Sequence, residues 1–452
     1  MAKETEILAR FVHDFSLDLL DEKTMGLVRY CILDTIGSAL GAAESKEIRA
    51  ILKTWQQWNG LGENQRGASV WGQNCKTSLL TAVLVNGLMG HELELDDVHT
   101  ASKSHVGAVV IPAAWAVAEA IGATGRELTE AVVVGYEVMG RVGMGMDVAS
   151  NRKRGWHTTG IIGTFGAAAA AARLLRLTVP QTVSALGMAG TQSSGLWAFL
   201  AEGSTCKKLH PARAAVNGVC AALLAQSGMT GPAHILDAAD GGLYRAVSDS
   251  FDMRRVTDGL GQDFVITKMD KKPYPCCRTT HHAIDAALRL RDRNLFRPED
   301  IAGVLVETYD VGVLQCGFEK YPESPVEAKF SIAFTCAAAF VYGRVTIGEF
   351  CREALENPQV KRIAKATKVV SSDLFTQRYP KRWGSRMTVT TADGQRYVCQ
   401  IDDMSGSVAV PLSEKQEQDK FRGLAEPLLG QGAQTLMEQL LRIDSLPTLP
   451  KL

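Results

Sequence analysis

Apolar residues recur at the three-to-four spacing of a helix through most of the first 265 residues. The run 20–43, LDEKTMGLVRYCILDTIGSALGAA, holds that spacing and carries Gly41 near its end, where helices commonly stop. Residues 76–97 and 125–146 repeat the pattern. The stretch 160–172 is dense in alanine and glycine, small residues that let helix backbones approach closely. It fits the centre of a large bundle or a subunit interface. The whole of 5–265 is predicted almost wholly helical.

The pattern changes near residue 266. VITKMDKKPYPCC reads as extended and ends in a proline-broken turn. CCRTTHHAIDAALRLRDRN is an amphipathic helix, and AGVLVETYDVGVL alternates like a strand. SPVEAKFSIAFTCAAAFVYG is predicted to be one helix, capped by Ser324 or starting at Pro325. Further helices follow in 346–367. RMTVTTADGQRYVCQID is the clearest hairpin, two alternating runs around Ala392-Asp393-Gly394. From about 412 the chain returns to helix. The predicted fold is mainly α: a large helical domain over 1–265, a smaller α+β domain over 266–404, and helices in 405–452 that return to the first domain.

Composition narrows the class. Of 452 residues, 46% are hydrophobic and 22% charged, which describes a globular protein. The 49 basic and 49 acidic residues cancel, so no global field favours nucleic acid or a membrane. Any anion binding must come from local clusters. The ten cysteines include no CxxC and no zinc or iron–sulfur spacing. The start MAKETEILARF lacks the features of a signal peptide, and the apolar stretch 108–118 is too short to span a bilayer. A cytoplasmic protein with free thiols is expected.

The candidate chemistry lies at four histidines, each at the predicted start of a helix rich in small residues: His105, His157, His210 and His281. A helix start offers unpaired N–H groups and partial positive charge. Histidine adds a group that gives or takes a proton near neutral pH. Four such pairings point to a pocket that binds a small polyanion and moves protons on it. HELELDDVHTASKSH, residues 91–105, packs Glu92, Glu94, Asp96, Asp97, His91, His99 and His105 together. Imidazoles and carboxylates this close can divide into acid and base roles, or hold a divalent metal. Lys207 and Lys208 precede His210, expected at a helix cap with Pro211 at the first helical position. Lys271, Lys272, Tyr274, Cys277 and Arg278 lead to His281 and His282. Cys277 reads more readily as a buried structural cysteine than as a low-pKa thiol. No dinucleotide or ATP fingerprint and no nucleophile elbow stands out.

At these segments the chain resembles the MmgE/PrpD family. The resemblance rests on HELELDD leading to a histidine, WHTTGIIGTFGA, KKLHPARAAVNG, KPYPCCRTTH and EAKFS, all in order along the whole chain. It implies a helical main domain built from N- and C-terminal segments, a smaller α+β lid domain, and a homodimer. It also implies action on a small di- or tricarboxylate with no cofactor and no metal. Catalytic positions carry over to the acidic cluster with Asp96 and Asp97, and to His105, His157, Lys207 and His281. Lys207, with Lys208 and Lys272, would meet substrate carboxylates; His105 and His157 are the candidate acid and base; Asp96 or Asp97 would orient a histidine or hold a substrate hydroxyl. His281 would arrive from the lid. Glu94, His210, Tyr274, Cys277 and Arg278 are expected to line the substrate site. Glu94 stands where decarboxylase-like members carry Asp, and Val98 and Val106 also depart from the family pattern.

The leading expectation is a dehydratase-type lyase on a hydroxy-polycarboxylate such as a citrate or methylcitrate analogue. Alternatives are a cis-aconitate-type decarboxylase, an epimerase or isomerase on the same acids, a metal-dependent lyase, and a non-catalytic carboxylate-binding paralogue.

Overall fold

The computed structural model describes residues 3–59 and 66–452. The protein is mainly α, with 59% of it helical and its strands gathered into small sheets. The chain divides into two compact units. One comprises Met1–Trp197, Cys206–Met269 and Ser413–Leu452; the other comprises Ala198–Thr205 and Asp270–Leu412. Among the described residues no helix is long and apolar enough to cross a membrane.

In the first unit the helix Thr158–Leu174 is central. It is apolar on every side, as a core helix must be, and Ala167 to Ala172 are at most 1% exposed. The helix Leu209–Gln226 meets it backbone to backbone at Gly218. A Cβ there would stand 2.5 Å from both the Ala167 Cβ and the Thr164 carbonyl oxygen. Helices Leu79–Glu92, Gly107–Ile121 and Gly125–Gly145 complete the surrounding layer. Thr124 with Glu127 and Thr178 with Gln181 form capping boxes that stop helices fraying, about 1 kcal/mol each.

The tail helices Glu414–Leu429 and Gly432–Leu440 belong to this unit. Phe421 packs on Gly37 and Leu424 on Gly41, at the helix Glu22–Ala42. The Lys420 ammonium donates to Asp34 Oδ1 at 2.6 Å and to the Leu95 carbonyl at 2.7 Å. Arg29 pairs with Asp444 through two hydrogen bonds of 2.7 and 3.0 Å.

The expectation of near-continuous helix to 265 needs correction. Gly67–Val70 and Cys75–Ser78 form an antiparallel hairpin, turned through left-handed Gly72 and Asn74. Four-residue strands are too short for alternation to stand out. Residues 227–242 are turns and irregular chain. The segment expected to be extended from 265 opens as a 3-10 turn, Val265–Lys268, and is a strand only at Met269–Asp270.

The second unit contains a four-stranded sheet, in the order Thr367–Ser371, Ile301–Thr308, Ser385–Thr391, Arg396–Ile401. The first pair is parallel and the other two are antiparallel. The predicted hairpin is present, with Gly394 left-handed in its turn. Helices His281–Asp292 and Ile332–Tyr342 pack in the same unit. The strand predicted through residue 314 stops at Thr308, and Asp310–Cys316 is helical. The helix predicted from Ser324 is two helices, Pro325–Ala328 and Ile332–Tyr342, because Ser331 caps the second as Ser324 caps the first. Thr367–Ser371, which follows directly on the stretch 346–367 read as helical, is an edge strand.

Candidate active site

In the first unit, the apolar helix Leu79–Glu92 delivers His91 to its C-terminal turn. The chain then turns through Glu94, a left-handed residue with φ 56°. That turn brings Glu94, Asp96 and Asp97 back beside His91. All four are buried.

The two aspartates have different tasks. Asp97 Oδ1 accepts the Gly107 N–H at 2.8 Å, and its Oδ2 accepts the Tyr136 hydroxyl at 2.8 Å. It therefore fixes the start of the helix Gly107–Ile121. A Cβ on Gly107 would lie 2.9 Å from Asp97 and 2.2 Å from the Thr35 hydroxyl, so only glycine fits. Burial, then the Asp97 charge, pushes the Tyr136 hydroxyl far above its usual range, so it remains a donor. Asp96 instead faces two imidazoles. His91 Nδ1 lies 2.9 Å from each of its oxygens, and His105 Nδ1 lies 3.1 Å from Oδ2. The backbone N–H of His105 donates to Thr159 Oγ1 at 3.1 Å.

Lys207 sits on the 3-10 turn Thr205–Lys208, 6% exposed. Its ammonium forms an ion pair with Glu94 and donates to His91 Nε2 at 3.0 Å. His157 caps the helix Thr158–Leu174, where Gly195 accepts its backbone N–H at 3.0 Å. His157 Nδ1 lies 2.9 Å from His210 Nδ1, so one ring donates the proton that the other accepts. Its ring also packs on Trp197, which lies under the Arg152 guanidinium at 4.2 Å. Burial, then Lys207 and the neighbouring imidazoles, holds His157 well below the usual histidine range. Burial, then Lys207, pushes His210 down to about 4.

The structure thus gathers Glu94, Asp96, His105, His157, Lys207 and His210. It does not centre on His99, whose Nδ1 pairs with Ser102 Oγ at 2.8 Å within its own turn. The Lys208 ammonium is committed to Glu47, at 2.7 Å, and to Glu92. His210 is the second residue of its helix rather than the cap, because the helix begins at Leu209 after the preceding 3-10 turn. His91 is the residue that sequence reasoning underused. It was visible as part of the polar cluster, one turn before Asp96, with nothing to mark it from His99.

The second unit holds its own histidine group. The Arg278 guanidinium donates from Nη1 to His281 Nδ1 at 3.0 Å and to the Ser405 carbonyl at 2.9 Å. A guanidinium only donates, so His281 accepts at Nδ1 and carries its proton on Nε2. Nε2 lies 3.3 Å from the Cys276 carbonyl. Burial, then the Arg278 and Lys272 charges, holds His281 well below its usual range. The Tyr274 hydroxyl donates to Asp285 at 2.7 Å, and Gln315 donates to Cys277 Sγ at 3.0 Å. Burial, then Arg278, pushes His282 down to about 3. Lys272 is fully buried.

Among the described residues, His91, Asp96 and His105 are the one grouping with metal-ligand chemistry, their atoms within 4.8 Å of one another.

In the first unit, buried imidazoles beside carboxylates and an ammonium on a helical scaffold describe an acid–base site for a small anion. Residues 6–256 match the MmgE/PrpD N-terminal domain and residues 274–443 the MmgE/PrpD C-terminal domain. The chain belongs to the MmgE/PrpD family and is an enzyme of that family. It is 30% identical to a cis-aconitate decarboxylase-like protein, oryM, of Aspergillus oryzae, over 83% of this chain and 80% of that protein. It is 26% identical to the cis-aconitate decarboxylase of Mus musculus, over 94% and 87% of the two chains. The 2-methylcitrate dehydratase of Salmonella typhimurium is 22% identical over 81% and 78%.

Proposed function

We propose that the protein is a cofactor-independent lyase that acts on a small tricarboxylate at the carbon beside a carboxylate. One observation carries the reading: the buried Lys207 ammonium lies against His91 and Glu94, and its charge reaches the His157–His210 pair. Lys207 meets a substrate carboxylate and the negative charge that develops on it. His157, kept neutral by burial and by neighbouring cations, is the base. A carboxylate against an imidazole nitrogen stabilises the imidazolium, the form from which a donor starts. Asp96 therefore makes His105 the acid. Environments that differ this way assign the roles.

In the dehydration form, His157 takes the C–H proton and the C–H electron pair becomes the new C=C bond. The C–O bond breaks, and His105 delivers a proton to the departing hydroxyl as water. Glu94, His210 and Asp97 shape and hold the site. Lys208 braces it from outside through Glu47 and Glu92. Arg278 is the proposed substrate-facing cation of the second unit, and His281 is its positioning partner beside Lys272, Tyr274 and Cys277. A homodimer in the cytoplasm remains part of the proposal.

The relatives' names favour a second reading, decarboxylation, in which a C–C bond breaks, CO2 leaves and the carbon takes its proton from His105. Proton NMR in D2O separates the two. Chelator-treated protein would be given citrate, 2-methylcitrate, cis-aconitate, malate and tartrate-type acids. An alkene from a hydroxy acid supports dehydration, and itaconate-like vinyl signals from cis-aconitate support decarboxylation. Deuterium uptake alone would replace both with epimerisation. No change in any acid, despite thermal stabilisation by one of them, would leave a binding protein.

A further inference from the structure

His91 touches no solvent, yet it stands at the centre of the site. Its side chain is 0% exposed, against 12% for His105. Its two nitrogens face opposite partners. Nδ1 meets both Asp96 oxygens at 2.9 Å; Nε2 meets the Lys207 ammonium at 3.0 Å and lies farther, at 3.3 Å, from Glu94 Oε1. A carboxylate can only accept and an ammonium can only donate, so the nearer partner of each nitrogen, Asp96 at Nδ1 and Lys207 at Nε2, sets a neutral ring with its proton on Nδ1. A protonated ring would set an N–H of its own against the ammonium.

We infer that His91 is a positioning residue that holds Lys207 in place for a substrate carboxylate without cancelling its charge. Glu94 already pairs with the ammonium. A second carboxylate at the position of Nε2 would leave the lysine with net negative surroundings, and a polycarboxylate would then be repelled. A neutral acceptor fixes the direction of the N–H bonds and adds no charge. Asp96 makes that acceptor available, because it pins the tautomer. The charged and titratable groups around the pair are Glu94 and Asp96 on the same loop, His105 beyond them, and His157 and His210 on the two central helices. His91 also packs edge to face against His105, ring centroids 4.4 Å apart, so the same side chain spaces the proposed acid from the cation.

This inference rests on the reading of Lys207 as a carboxylate-binding cation, and its test separates the two. His91→Gln places an amide where Nε2 stood and can still accept from Lys207. His91→Asn places an amide where Nδ1 stood, keeps Asp96 and drops Lys207. The probe is tricarballylate, a tricarboxylate with no hydroxyl to lose, titrated calorimetrically into the full-length chain. A hydrogen bond to a charged group carries about 1.5–3 kcal/mol. The expected result is affinity within about threefold of the parent for His91→Gln and a loss of about tenfold or more for His91→Asn. In turnover the same split should appear, with KM raised and kcat lowered in His91→Asn and both near the parent in His91→Gln, since Lys207 also meets the developing charge. Equal affinities in both variants would overturn the inference.

Nitrogen-15 NMR of the parent protein gives a measurement independent of folding in the variants and of any ligand. The His91 signals, assigned by their loss in His91→Gln, should be those of a neutral ring protonated on Nδ1 at pH 7. An imidazolium, or the opposite tautomer, would overturn the inference. If tricarballylate binds neither parent nor variants while the tautomer is as stated, the substrate class is wrong and the positioning of Lys207 stands.

Discussion

Both units bury histidines beside cations, but the two groups are wired differently. Around Lys207 the imidazoles meet one another, an aspartate and an ammonium, and the His157–His210 pair shares a single proton. Around Arg278, both nitrogens of His281 meet local partners, the guanidinium and the Cys276 carbonyl. A proton moved onto or off His281 must break one of these contacts. A proton moved at His105 leaves its Asp96 contact in place. The difference teaches that a histidine beside a basic helix start announces a buried network, and that the partners of its two nitrogens decide whether it transfers protons or aims a cation.

The largest expected effect belongs to Lys207→Ala, which should lower kcat/KM by about 10²-fold or more through loss of the ammonium that meets His91 and Glu94. Near-normal turnover would break the comparison outright. His157→Gln should cost about 10²-fold in dehydration and much less in decarboxylation, where no C–H proton is removed. Steady-state kinetics on both substrates would read this. His281→Gln sharpens the contrast: kcat should fall by less than about tenfold, while the melting temperature drops by about 3–6 °C as a buried guanidinium loses an acceptor. A 10²-fold loss with unchanged melting would make His281 a proton-transfer group after all.

A pH series of melting temperatures gives a smaller signal. Burial holds His99 and His210 down to about 4 and His282 down to about 3 in the folded chain. Unfolded, each takes its proton near 6.5. As pH falls from about 6.5 to 4 the unfolded chain binds more protons, so stability falls through that window and is fully present above it. His282→Asn should flatten the slope; an unchanged slope would show that His282 does not contribute. The smallest effect is expected for Lys208→Met, with KM within about threefold of the parent, since its ammonium already answers Glu47 and Glu92.

Much of this was legible in the sequence. Helical periodicity marked the core helices, and the Ala-Asp-Gly turn marked the hairpin of the second unit. The polar run 91–105 marked the site, because so many ionisable residues directly before an apolar helix have to be buried together. Some features could not be read. His91 and His99 are alike in sequence, and they separate only because the left-handed turn at Glu94 folds the chain back on His91 while His99 closes on Ser102. Lys207 and Lys208 are adjacent, and a 3-10 turn sends their ammoniums to different carboxylates. The break between Pro325–Ala328 and Ile332–Tyr342 was hidden because Ser331 is compatible with either a continuing helix or a new cap.

The tail helix has a consequence for the order of events during synthesis. Lys420 holds the Leu95 carbonyl, the residue before Asp96, and Phe421 closes the groove over Gly37. A ribosome has therefore made every proposed catalytic side chain long before the clasp on their loop exists. The nascent chain carries the Glu22–Ala42 groove uncovered until Ser413–Leu452 emerges. The loop that bears the acid gains this hold only after the helix Glu414–Leu429 has emerged.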